Sequence, residues 1–139
     1  MADDAKTVPT QMPVEEFLAG LSDARQVADS RALIDIMARV SGHRPVMWGP
    51  AIIGFDAYHY RYDSGREGDG PVIGFSPRSG KISIYLVDGC AEHAGALARL
   101  GRHTETKVCL HVKRLSDIDL VVLEEILAAS YAATKAAWA

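Results

Sequence analysis

The residues whose types could bind or react are concentrated between Trp48 and Lys113. Arg66, Arg78, Lys81, Lys107 and Lys113 are interleaved with Tyr58, Tyr60, Tyr62, Tyr85 and His111. A guanidinium presents a planar fork to carboxylate or phosphate, and an ammonium adds a point charge. Tyrosine supplies a stacking face and a hydroxyl. These types together suit an anionic or small polar ligand. Charge supports the same reading. From Arg44 to Arg114 ten Lys and Arg stand against seven Asp and Glu, while the flanks carry five against eleven. A mildly basic sheet between solvated acidic helices is the plainer account of that asymmetry. A net charge of −3 speaks against a general nucleic-acid binder.

Other chemistries find less support. His43, His59, His93, His103 and His111 show no HxxxH or HxH spacing, so no metal site is legible. Cys90 and Cys109 form no CxxC and read as small apolar residues. No Gly-x-Ser-x-Gly elbow appears, and no nucleophile–base pair can be named, so the chain reads as non-enzymatic. Gly65-Arg66-Glu67-Gly68-Asp69-Gly70 could offer backbone N–H groups to an anion beneath Arg66. A hairpin loop explains the same glycines through positive φ. The carboxylates Glu15, Glu16, Asp117, Asp119, Glu124 and Glu125 suit helix starts, with weak hard-cation binding as the alternative.

The elements that must position these residues follow from periodicity. Residues 1–12 are polar and aperiodic, and read as a flexible tail before one domain over 13–139. Val14, Phe17, Leu18 and Leu21 share one helical face after Pro13. Leu33, Ile36, Met37 and Val40 predict a helix over 23–40, capped by Ser22 and ended by Gly42. The period then becomes two. A long strand is expected over 52–62, a second over 71–76 and a third around 82–87. Ser76-Pro77-Arg78-Ser79-Gly80 is the expected turn between the last two. A short helix over 91–100, a strand with Val108, Leu110 and Val112 inward, and a last helix capped by Ser116 complete the order.

Short links require antiparallel pairing. The expected fold is therefore α+β, a two-layer sandwich whose mainly antiparallel sheet of four or more strands is covered by helices on one face. The other face would show Ser83, Tyr85, Lys107, His111 and Lys113, joined by Tyr58, Tyr60 and Tyr62 if Ile53 and Phe55 point inward. That surface could hold a ligand, stay solvated or pair two copies into a dimer. No apolar run reaches the roughly 20 residues of a membrane span, and with no leader visible the cytoplasm is the expected compartment.

Several motifs carry a family resemblance. They are Trp48-Gly49-Pro50, Ile53-Gly54-Phe55, Tyr58-His59-Tyr60, Ser64 to Asp69 and Gly74-Phe75-Ser76-Pro77-Arg78. Leu100-Gly101-Arg102-His103 follows, with Lys107, Cys109, Leu110 and Lys113, and then Asp117, Asp119 and Leu123. Over roughly residues 15 to 130 the chain resembles the YdhG-like domain family, whose function is unassigned. The resemblance implies a small α+β domain of frataxin-like shape. It also implies iron as an alternative cargo, since some members are described as iron chaperones. Here Glu15, Glu16, Asp23, Asp29 and Asp35 are spread out rather than forming a dense acidic ridge. The expected function is therefore a non-enzymatic small-ligand or anion-binding domain that needs no cofactor. Trp48, Tyr58, Tyr60, Arg66, Arg78, Tyr85, Lys107, His111 and Lys113 are the candidate ligand-binding residues. A frataxin-like iron-binding chaperone and a dimeric protein-interaction module are the alternatives.

Overall fold

The computed structural model describes residues 9–138. Met1 to Val8, most of the expected tail, lie outside the described residues. Pro9 and Thr10, its described end, are tied down: Pro9 bridges Trp48, and the Thr10 N–H donates to the Met47 carbonyl at 2.9 Å. Two helices open the domain, α1 (Val14–Ala19) and α2 (Ala24–Ser41). Asp23, not Ser22, caps α2, its carboxylate accepting from the Arg25 N–H at 2.9 Å. Gly42 ends α2 in the left-handed region at φ 71, as its sequence position predicts.

Strands β1 (Val46–Trp48), β2 (Ile52–Phe55), β3 (Tyr58–Arg61), β4 (Glu67–Gly70), β5 (Ile73–Arg78) and β6 (Lys81–Leu86) follow. A 3-10 turn (Cys90–His93) leads into α3 (Ala94–Leu100), then β7 (Thr104–Glu105), β8 (Cys109–Val112), a second 3-10 turn (Leu115–Asp117) and α4 (Leu120–Ala137). Six strands form one antiparallel sheet in the order β1-β2-β5-β6-β8-β7. Strands β3 and β4 form a separate two-stranded sheet. The inner face presents Ile53, Phe55, Ile73, Phe75, Ile82, Ile84, Leu86, Leu110 and Val112 to α2 and α4, where Leu33, Met37, Leu123, Ile126 and Leu127 close the core. The fold is α+β, a helix layer on a sheet.

Four local expectations are corrected. The strand expected over 52–62 breaks at Asp56, whose φ of 61 turns the chain out of the six-stranded sheet. Tyr58 and Tyr60 therefore stand on the hairpin and not on the central sheet. Asp56 holds this corner by accepting from the Ala57 N–H at 2.7 Å, the Tyr131 hydroxyl at 2.7 Å and Lys135 Nζ at 3.0 Å. Next, Ser76 and Pro77 belong to β5 and leave Ser79-Gly80 alone as the turn, with Gly80 at φ 79. The β2 ladder stops at Phe75, so Pro77 has no partner strand on that side to miss its N–H. Finally, Asp119 caps α4 through the N–H groups of Val121 and Val122, because Ser116 is held in the preceding 3-10 turn. Val108, expected inward, precedes β8 and is exposed.

Candidate functional site

Register extends the β5–β6–β8–β7 ladder into three rungs on the outer face. Gly74 stands opposite Tyr85, and Tyr85 opposite Cys109. Ser76 pairs with Ser83, Ser83 with His111, and His111 with Thr104. Arg78 pairs with Lys81; continuing the β6–β8 register one step sets Lys113 opposite Lys81, and continuing the β7–β8 register two steps sets Arg102 opposite Lys113. Strand alternation puts all three rungs on one side of the sheet. The outer face therefore grades from small residues and one tyrosine, through hydroxyls and imidazole, to four cations at one end.

That cationic end is concave. Gly80, Lys81, Arg102, His103, Thr104, His111 and Lys113 line a cavity of about 370 Å³, and among the described residues no carboxylate lines it. The nearest acid in the hydrogen-bond network is Glu105, 3.0 Å from His103 Nε2, while His103 Nδ1 lies 2.8 Å from the Gly101 carbonyl oxygen. The fold fixes the two walls separately. Gln26 of α2 donates from Nε2 to the carbonyls of Arg78 and Lys81, the latter at 3.1 Å, which anchors the base of the β5–β6 turn. Across the cleft Gly101 has φ 122, and a Cβ there would lie 2.4 Å from the Asp117 carbonyl oxygen. Only glycine allows this approach, which delivers Arg102 and His103 to the cleft.

His111 forms the floor. Its Nδ1 lies 2.9 Å from Ser83 Oγ, leaving Nε2 as the ring nitrogen available to the cavity. Burial lowers its pKa, and the neighbouring charges of Lys81 and Arg78 lower it further. A neutral imidazole beside a hydroxyl resembles a base and its nucleophile. A nucleophile must reach substrate, however. Ser83 is 4% exposed and is not part of the cavity lining. Its contact orients His111. Arg78 extends along the same face, with a guanidinium nitrogen 3.4 Å from the Tyr85 hydroxyl. That contact raises the Arg78 pKa still further.

The structure gathers Arg78, Tyr85, His111 and Lys113 on this face. It does not bring Arg66, Lys107, Trp48, Tyr58 or Tyr60 to the cleft. Lys107 precedes β8 and Lys113 follows it, six residues apart at about 3.3 Å each. Arg66 follows the β3–β4 turn on the second sheet, where its carbonyl accepts from the Tyr62 N–H at 2.8 Å. Trp48 is buried at 2% exposure, and Gly54 makes room for its ring: a Cβ at Gly54 would lie 2.5 Å from Trp48 Cδ1. Tyr58, Tyr60 and Tyr62 pack around Trp138, with centroids 5.8, 6.4 and 5.9 Å from its ring. Gly68 and Gly70 lie under Tyr60 and Tyr58, where an added Cβ would come within 2.6 and 3.1 Å of those side chains. These two glycines accommodate aromatic rings.

Arg102, His103 and Thr104 are the site residues that sequence reasoning did not select, and Lys81 was weighed there only as an assisting turn residue. The available signal was positional. Arg102 and Thr104 alternate before a turn, and that alternation faces Lys113 and His111 once β7 folds back on β8.

Three of the acidic residues weighed for iron have other partners. Glu15 makes a two-pronged pair with Arg31 at 2.8 and 2.9 Å, Asp23 caps α2, and Asp29 accepts from the Leu115 N–H at 3.1 Å. Among the described residues no three His, Cys, Asp or Glu side chains are grouped to hold a metal ion. No helix among them is long and apolar enough to cross a membrane. Compared with known proteins, the chain matches no family model, no curated protein and no solved structure.

Proposed function

We propose that this domain binds a small anionic molecule in the cleft between the β5–β6 turn and the segment entering β7, without transforming it. One observation carries the reading. Lys81, Arg102 and Lys113, with His103 and His111, converge on a cavity whose lining, among the described residues, includes no carboxylate. Like charges held this close repel one another, and a bound anion relieves that repulsion. The Ser83–His111 contact and the Gln26 anchor hold the cleft in shape before a ligand arrives, which lowers the ordering cost of binding. The resemblance to the YdhG-like family is compatible with this reading, because it brings no catalytic residues.

The test is a titration of the protein with sulfate at low ionic strength, followed by amide and side-chain NMR. Shifts should concentrate at Lys81, Arg102, Thr104, His111 and Lys113. Lys81→Glu with Lys113→Glu should abolish them while the rest of the spectrum stays folded. No localised shift at roughly 10 mM sulfate, where even a weak millimolar site would fill, would reject the proposal.

A further inference from the structure

The three cations that line the cleft form a row with Arg78 beside it. Arg78 on β5 pairs with Lys81 on β6, and extending the neighbouring registers past their last pairs aligns Lys113 after β8 and Arg102 before β7 with them across four strands. Strands in a sheet lie about 4.8 Å apart, so the rung spans roughly 14 Å at right angles to them. All four side chains are exposed. A single tetrahedral oxyanion is too small to contact four cations arranged in this way. A chain of linked anionic groups laid across the strands meets them in turn.

We infer that the cleft takes a linear oligo-anion of two or three phosphoryl groups, lying across β5, β6, β8 and β7 against this rung. The inference rests on the anion-binding reading and sharpens its ligand class. Lys81, Arg102 and Lys113 already line the cavity, and His111 and Thr104 offer polar groups on the adjoining rung. Arg78 joins by exchanging its long 3.4 Å contact with the Tyr85 hydroxyl for a charged oxygen, which makes the stronger bond. Among the described residues no Tyr, Trp or Phe lines the cavity, which leaves a nucleobase only the small imidazole and guanidinium planes of His103, His111 and Arg102. Recognition is confined to the phosphoryl chain, whether that chain is free or the tail of a larger molecule.

Calorimetry on the full chain with orthophosphate, pyrophosphate and tripolyphosphate, at constant ionic strength and without divalent cations, tests this. Each added phosphoryl group should tighten binding by about tenfold, as one further charge-assisted contact would. Arg78→Gln, at the end of the row outside the cavity lining, should weaken tripolyphosphate by about tenfold and orthophosphate by less than about twofold, whereas Arg102→Gln, inside the cavity, should weaken both. Adenosine triphosphate should bind no more tightly than tripolyphosphate. Equal affinity for all three phosphates would overturn the linear-ligand inference and leave the anion site standing. So would an equal loss of orthophosphate and tripolyphosphate binding in Arg78→Gln. A nucleotide that binds more than about tenfold tighter than tripolyphosphate would overturn recognition by the phosphoryl chain alone. Binding of none of the three would remove the anion site itself.

Discussion

His111 is the residue whose behaviour reports most directly on the cleft. Burial, with Lys81 and Arg78 nearby, holds its pKa below the ordinary histidine range. The unfolded chain therefore takes up the proton first. The stability that His111 contributes is present above about pH 6.5 and fades as pH falls through the depressed folded value. Imidazole NMR should show its midpoint below 6.5, and saturating sulfate should raise it, because a bound anion favours the charged ring. A midpoint unmoved by sulfate would separate His111 from the ligand. Asp56 gives a second test at the same scale. Burial opposes its charge, but hydrogen bonds from Tyr131, the Ala57 N–H and Lys135, with the charge of His43, hold its pKa below the ordinary value. Burial and this carboxylate push Tyr131 up to about 12. Tyr131 thus favours the fold below pH 10, and that contribution is lost as pH climbs towards 12. Tyr131→Phe should cost about 1 kcal/mol in urea unfolding, the usual worth of such a hydrogen bond. Its absence from the ultraviolet phenolate titration should remove the last step.

At the scale of elements, two glycines separate close packing from turn chemistry. Gly101→Ala meets the Asp117 backbone at 2.4 Å with φ 122, and the segment entering β7 must move. A loss of about 2–3 kcal/mol is expected by thermal or chemical unfolding, the range of strained glycine positions. Anion affinity should fall with it, because Arg102 and His103 follow directly. Gly68→Ala instead meets the end of the Tyr60 side chain at 2.6 Å, and that ring can tilt. Only about 1 kcal/mol should be lost. Trp138 fluorescence should change, and anion binding should not. The hairpin's other face has its own pH dependence. Glu67 and Asp69 hydrogen-bond the two ring nitrogens of His59 at 2.7 and 2.8 Å and raise its pKa. The support this gives the hairpin is complete below about pH 6.5 and is lost as pH rises through the raised value. Amide exchange at Tyr58 to Arg61 should accelerate accordingly.

Taken whole, the molecule separates the surface that would bind from the layer that folds it. The rung cations lie on exposed strand and turn positions, so Lys113→Gln should leave the melting temperature within about 2 °C. Anion affinity should fall steeply with added salt, and a salt-independent affinity would count against an electrostatic site. The sheet's inner face was legible from its alternation. Ile82, Ile84, Leu86, Leu110 and Val112 lie inward, and Ser83, Tyr85 and His111 outward, because strand period and apolar burial leave one answer. The break at Asp56 was not legible. Ile53 and Phe55 on odd positions and the tyrosines on even ones fit one continuous strand as well as a turned corner. What decides between them is Tyr131 and Lys135, some 75 residues away along the chain. Local pattern by itself determined the helix layer, the antiparallel strands and the presence of cations and tyrosines between Trp48 and Lys113. Only the tertiary structure decided which of them meet. A rung is set by the pairing registers of four strands, and pairing is a contact between distant segments that no single segment encodes.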